Sequence, residues 1–213
     1  MTLPIILIIT VILLLWNLFV IHYLAKWAYN FVKKYENIPA AYVGRKIIHI
    51  FGAGITAILI PIFYSGYYGF VVFSAFGLSA YLFFWRNYKL MYWFQVEENM
   101  YEVHFAFAYG ATLLVGVLIQ NLLVGLIPLL FMSFGDSVTG LVRAFTQKKH
   151  IKSWDGSLAM FLVCAIIGWI FLGVYGIFIA GIVTMVERIP RVDDNITVPI
   201  VTGLLVYLFF LFK

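Results

Sequence analysis

Apolar positions run in long unbroken blocks along this chain, and the polar ones are gathered between them. Eight blocks stand out, at about 3–25, 47–63, 67–85, 104–119, 121–135, 157–172, 174–186 and 196–212. A helix needs roughly 20 apolar residues to cross a bilayer. The pattern therefore predicts an all-α, polytopic integral membrane protein with about eight transmembrane helices. The first block is long, has no cleavage-like end and runs straight into Lys26 and an amphipathic stretch. It reads as a membrane anchor, not a cleaved signal peptide. No internal repeat, low-complexity segment or linker interrupts the series, so residues 1–213 are expected to form one membrane-embedded domain.

Composition agrees with the pattern. The chain is 64% hydrophobic and only 11% charged, with a mean hydropathy of +1.03. A soluble domain of this length has no means of hiding that much apolar surface. Cys164, the single cysteine, sits in an apolar block. That excludes a disulfide within the chain and a thiolate metal cluster.

Charge adds sidedness. The segments 26–46, 86–103, 136–156 and 187–195 follow alternate blocks and would share one face. They hold thirteen of the fourteen Lys and Arg residues, among them Lys148, Lys149 and Arg191, and all nine acids. The intervening connections, near Ser65–Gly66, Gln120–Asn121 and Gly173, carry no charge. The positive-inside rule makes the charged face cytoplasmic. An even number of spans then puts both termini on the non-cytoplasmic side. The rule accounts for the bases but not for the acids, which contribute little to orientation. Acids set among glycines at the ends of spans point instead to a polar site on the cytoplasmic face.

The chemistry of that site is narrowed by what is missing. The chain has no G-x-x-x-x-G-K-[ST] loop, no G-x-G-x-x-G after a strand, no H-E-x-x-H and no kinase-type H-R-D loop. The histidines His22, His49, His104 and His150 are scattered, which argues against zinc. Three charged clusters remain. In "GRKIIHIFGAG", residues 44–54, Arg45 and His49 share a helix face. In "SFGDSVTGLVRAFTQKKHIKSWDGSLA", residues 133–159, Asp136 ends an apolar run. An ionisable group at that depth costs roughly 2.5–3.5 kcal/mol on insertion, so it usually has a partner and a role. Farther along, Lys152, Ser153, Gly156 and Ser157 stand just ahead of a span, where free N–H groups favour phosphate; a capped turn is the plainer account. In "VERIPRVDDNITVP", residues 186–199, Asp193, Asp194 and Asn195 supply the hard oxygens that Mg²⁺ prefers. A helix N-cap explains the same residues structurally.

With these three blocks in hand, the sequence resembles the CTP-dependent lipid-alcohol kinases, which include dolichol kinase, phytol kinase, short prokaryotic relatives and a yeast-type diacylglycerol kinase. "RKIIH" at 45–49 is similar to that family's R-K-x-x-H. "GDSVTGLV…KSWDGSLA" resembles its G-D-x-x-A…K-S-x-E-G-S-x-A, and "VERIPRVDDNITVP" its V-E-x-x-P…D-D-N-x-x-x-P. The blocks span residues 45–199. The chain departs from the pattern at Thr139, usually alanine, at Arg143, often glycine, and at Asp155, usually glutamate.

The resemblance implies transfer of the CTP γ-phosphoryl group to a lipid hydroxyl, with Mg²⁺ as cofactor. Asp136, Asp193, Asp194 and Asn195 would hold the metal. Arg45, Lys46, Lys152, Ser153, Gly156 and Ser157 would hold phosphate. Asp136, Lys152, Glu187 and His49 would form the catalytic set, with the proton acceptor open among Asp136, Glu187 and His49. The expected acceptor is an isoprenoid alcohol of the dolichol type, with phytol, geranylgeraniol and diacylglycerol as other choices. The partners are then CTP, that alcohol and membrane lipid, with no nucleic acid. The expected location is the cell membrane of a prokaryote or the ER membrane of a eukaryote, the active site facing the cytoplasm. A membrane cytidylyltransferase is the alternative, although its late G-x-x-D-R-x-D block is missing. A transporter is a second alternative, but it would carry polar groups near the midplane.

Overall fold

A computed structural model describes residues 2–147, 152–190 and 192–213; Lys148, Lys149, His150 and Arg191 lie outside the described residues. The described residues are mostly helical, with an isolated bridge between Val96 and Asn99 the one β pairing among them. Among the described residues, seven helices are long and apolar enough to cross a membrane: α1 (Leu3–Val32), α2 (Ala40–Phe63), α3 (Gly69–Tyr88), α4 (Tyr101–Leu118), α5 (Leu122–Thr146), α6 (Trp154–Leu172) and, last in the chain, α8 (Asp194–Leu211). Between the last two lies α7 (Val174–Glu187), apolar but shorter. Its 14 residues span about 21 Å, short of a hydrocarbon core of about 30 Å. Large apolar side chains such as Phe73, Ile166 and Trp169 lie exposed on the outside. That is the surface of a polytopic membrane protein, whose solvent is lipid.

Several helices overrun the limits expected from the apolar blocks. α1 continues to Val32 and α5 to Thr146, because their added turns are amphipathic: that of α1 buries Ala25, Ala28 and Val32, and that of α5 buries polar residues such as Asp136, Thr139 and Arg143. The segment from 136 is thus helix first and loop only after Thr146. α4 begins at Tyr101, which brings Glu102 into its first turn.

α5 is the central helix. Every residue from Val124 to Leu130 is buried, and α2, α4, α6 and α8 pack around it. α6 and α7 form a hairpin through Gly173, whose φ of +60° is a conformation glycine adopts without cost. Glu187 at the end of α7 reaches Lys152 just ahead of α6, so the hairpin returns the chain to the end of the bundle it left. Among the described residues, three helices contain π-helical turns, at Val20–Leu24 in α1, Ile48–Gly54 in α2 and Phe131–Gly135 in α5. Such turns cluster at functional positions. Here one contains His49, and another ends immediately before Asp136.

The α6–α7 contact is backbone against backbone. A Cβ on Gly176 would lie 2.0 Å from the Gly168 carbonyl oxygen, and one on Gly168 would lie 2.5 Å from that of Gly176. Gly181, farther along α7, would meet only a ring edge at 3.9 Å. Gly176→Ala is therefore expected to destabilise the protein by about 1–3 kcal/mol through overpacking. Gly181→Ala should be nearly neutral. Thermal unfolding in detergent, followed by size-exclusion chromatography, measures both.

Candidate phosphate site at the charged end of the bundle

One end of the bundle collects the charges that the sequence scatters over 150 positions. A cavity of about 230 Å³ opens there, lined by Tyr42, Arg45, Lys46, Tyr101, Asp136, Lys152, Pro190, Val192, Asp193, Asp194 and Asn195. All three sequence blocks contribute to it.

Asp136 stands at the deep wall. Lys46 donates to its Oδ2 at 2.6 Å, with both side chains nearly closed to solvent. Gly140, one turn along α5, lets the lysine pass, since a Cβ there would lie 2.3 Å from Lys46 Cε. His49 sits behind Asp136, its Nδ1 3.6 Å from the same Oδ2. That is beyond hydrogen-bond range, and neither ring nitrogen of His49 has a hydrogen-bond partner. The imidazole stacks on Phe105 at a centroid distance of 3.6 Å. Arg45 donates twice to the Phe94 carbonyl oxygen, at 3.3 and 3.2 Å, and lies 5.6 Å from the centre of the Tyr101 ring.

Lys152 forms the opposite wall. Its ammonium donates to Glu187 Oε1 at 3.2 Å, to Asp194 Oδ2 at 2.5 Å and to the Glu187 carbonyl oxygen. Asp193 is the N-cap of α8, accepting from the Asn195 amide at 3.0 Å. Its other oxygen meets His104 Nδ1 at 2.6 Å. The N-cap role foreseen for this stretch is thus filled by Asp193, with Asp194 the acid of the first turn. Asp194 Oδ1 and Asn195 Oδ1 are buried at the cavity without a hydrogen-bond partner.

Other expected site residues lie one layer back. Glu187 is fully buried and does not line the cavity. Arg143 grips it in a bidentate pair at 2.6 and 3.1 Å. Ser153, not Ser157, caps α6, accepting from the Gly156 amide at 3.4 Å. Arg143 also donates to the Ser153 carbonyl oxygen and to Ser157 Oγ, each at 3.4 Å. Gly156 makes room for that guanidinium, because a Cβ would lie 2.4 Å from Arg143 Nε. Ser153, Gly156 and Ser157 therefore support the wall from behind; none of them lines the cavity. Thr139 donates to its own helix at the Gly135 carbonyl oxygen, and Asp155 accepts from Gln147 at the exposed surface. Both lie outside the cavity lining.

Glu102 and His104 belong to this end of the bundle, and the sequence reading singled out neither as a site residue. Glu102 Oε1 accepts from Arg86 and from Gln95, each at 3.1 Å. The signal that exposed Asp136, an acid at the border of an apolar run, applies equally to Glu102.

Among the described residues, no three His, Cys, Asp or Glu side chains form a ready-made metal cluster. A Mg²⁺ ion bound together with substrate phosphates needs only one or two carboxylates from the protein. Asp136 and Asp194 line one cavity, and the unpartnered Asp194 Oδ1 and Asn195 Oδ1 are hard acceptors, so the residues fit that mode of binding. The mixture of ammonium and guanidinium groups with hard oxygens suits a metal–polyphosphate complex.

An uncharacterized protein of Methanocaldococcus jannaschii is 28% identical over 116 residues, which cover 52% of this chain. The matched segment spans 59% of that relative's length. No family model matches the chain, and no solved structure matches it.

The Arg143–Glu187 pair gives a direct test of the supporting layer. Removing one partner of a buried ion pair leaves an uncompensated charge and costs about 3–5 kcal/mol, whereas an apolar replacement of both is often neutral. Arg143→Met leaves the buried Glu187 with only the partly exposed Lys152 as counterion, so it should lower thermal stability by less than that full cost, and the double variant R143M/E187M should recover most of the loss. A single variant as stable as the parent would show that the pair does not hold this layer.

Proposed function

We propose that this protein is a CTP-dependent lipid-alcohol kinase that phosphorylates a dolichol-type polyprenol at the cytoplasmic face of a membrane and releases CDP. One observation carries the reading. Arg45 and Lys46, Asp136 and Lys152, and Asp193 to Asn195 come from three separate blocks, and all line one polar cavity at one end of the bundle. A transporter would need such groups near the midplane; here they are gathered at the end of the bundle.

Phosphoryl transfer asks for positioning and charge neutralisation more than for covalent chemistry. Arg45, Lys46 and Lys152 are the cations available to the phosphates. Asp136, Asp194 and Asn195 would hold Mg²⁺, which supplies neutralisation of the β- and γ-phosphate charge. His49 is the proton acceptor that the geometry favours, with unpartnered nitrogens and Asp136 behind it to stabilise the imidazolium. Glu187 is spoken for by Arg143 and Lys152. In the step itself, the lipid oxygen bonds to the γ-phosphorus and its proton passes to His49. The bond from that phosphorus to the β–γ bridging oxygen breaks, and CDP leaves.

Incubation of purified protein with γ-labelled CTP, Mg²⁺ and a panel of lipid alcohols tests the reading. Labelled polyprenyl monophosphate with CDP is expected, and much less product with ATP. Release of pyrophosphate with a CDP-lipid when lipid monophosphates replace the alcohols would exchange the kinase for a cytidylyltransferase, and no turnover with any alcohol would remove it.

Asp194 offers the sharper residue test. Glu187 still pairs with Lys152 when Asp194 is changed, and Asp193 still caps α8. Asp194→Asn should leave folding intact and lower turnover about 100-fold, equivalent to about 2.7 kcal/mol of transition-state stabilisation. Retention of most of the activity by a folded variant would take Asp194 out of the site.

A further inference from the structure

A second cavity lies inside the bundle, on the bilayer side of the first. It is walled by α1, α2, α3 and α4 and holds about 80 Å³. Leu13, Ala53, Ala75, Phe105 and Tyr109 are typical of its lining. Polar side chains also face it, but the protein satisfies them. Thr10 donates to the Ile6 carbonyl oxygen and meets the Tyr64 hydroxyl at 2.9 Å. Asn17 donates to Leu13 and Thr56, and Thr56 and Ser74 each donate to a carbonyl oxygen of their own helix. The wall is apolar in effect along most of its length.

One end differs. His49 and Glu102 line the cavity and are 1% and 4% exposed. His49 Nε2 and Glu102 Oε2 have no hydrogen-bond partner. Buried acceptors left unpaired are unfavourable, and both lie where the cavity approaches the polar site. Arg45 lines the two cavities at once. The loop between α3 and α4 closes this end: the Phe94 carbonyl oxygen accepts from Arg45, and Trp93 Nε1 donates to the Ile21 carbonyl oxygen. An occupant that matches this cavity is apolar over its length and carries one hydrogen-bond donor at its tip.

We propose that this inner cavity binds the hydrocarbon chain of a single-chain lipid alcohol, its hydroxyl at the His49 and Glu102 end and its chain running along α2 towards Thr56. The choice of an alcohol as occupant rests on the kinase reading. From Arg45 to Thr56 the lining follows α2 for about 16 Å, at 1.5 Å per residue. A slot of that length with about 80 Å³ of room is one chain wide, which disfavours a two-chain glycerolipid. Its far end is shut by the Thr10–Tyr64 hydrogen bond. A longer chain leaves sideways between α1 and α3, past the half-buried Leu14 and Leu78.

The test is photolabelling of the full chain in nanodiscs, without nucleotide, by a diazirine analogue of geranylgeraniol. Crosslinks are expected on cavity residues such as Leu13, Ala53, Ala75 and Phe105. Unlabelled geranylgeraniol should compete, and 1,2-dioleoylglycerol should not. Ser74→Phe, which fills the middle of the slot, should reduce that labelling roughly tenfold, equivalent to about 1.4 kcal/mol of binding. Crosslinks confined to lipid-facing residues such as Phe73 and Ile166, or equal competition by dioleoylglycerol, would overturn the assignment whether or not the Ser74 variant folds. Competed cavity labelling in a protein that makes no lipid phosphate from CTP would support the cavity assignment and remove the kinase reading. Lipid phosphate formation with labels only outside the cavity would do the reverse.

Discussion

A carboxylate on the most buried helix of a membrane bundle has to be neutralised where it stands, because lipid offers no water to solvate it. Asp136 is that carboxylate, and Lys46 from α2 is its counterion. Much of the local build follows from joining these two groups. Gly140 leaves a channel for the lysine stem. A π-helical turn in α5 ends at Gly135, and another in α2 carries His49 beside the same oxygen. α5, at the centre of the bundle, delivers its acid to the end where α2 presents its bases.

The other acids at this end follow the same rule in a second ring. Glu187 is held by Arg143 and Lys152, Asp194 by Lys152, Asp193 by His104 and Glu102 by Arg86. The pairs of this second ring differ in how tightly they are closed. Arg143 and Glu187 are almost wholly buried and bidentate, a geometry that fixes orientation as well as charge. Lys152 and Asp194 are partly exposed at the cavity, and Asp194 keeps one oxygen unpartnered. An ammonium shared between two carboxylates can turn to a third anion without leaving either acid far from positive charge. The Lys152–Asp194 pair therefore suits an exchange of partners with an anion that enters the cavity, while the Arg143–Glu187 pair holds the helices that carry it.

The membrane class and most helices were legible in the sequence because lipid imposes a simple rule: long apolar blocks are helices. Helix ends were less legible. The blocks stop where apolarity stops, but Asp136 to Thr146 stays helical because its polar face packs on other helices rather than on lipid. The charged residues that line the polar cavity were found from charges at block borders, a signal that reflects the cost of burying them; Tyr42, Tyr101, Pro190 and Val192, which also line it, were not. That signal does not say who pairs with whom. Arg143 stood out only as a departure from a familiar pattern, yet it organises Glu187, Ser153 and Ser157. Glu102 fell in a presumed loop, and the pairing of His104 with Asp193 joins positions 89 apart. Ser153, Gly156 and Ser157 were read as phosphate ligands because a helix N-terminus attracts anions. A buried guanidinium already occupies that place, and no local pattern reveals it.

The relation between the two cavities is set by Arg45, which lines both. Its guanidinium is anchored on the Phe94 carbonyl oxygen and the Tyr101 ring, so it marks a fixed boundary between a polar chamber and an apolar one. His49 lies at the same boundary, lining the apolar cavity while its Nδ1 faces the Asp136 of the polar cavity. A reaction that joins a water-soluble anion to a lipid hydroxyl needs such a boundary. On the kinase reading proposed above, the anion would stay among cations and hard oxygens, the chain would stay in the apolar slot, and only the reacting oxygen would have to cross.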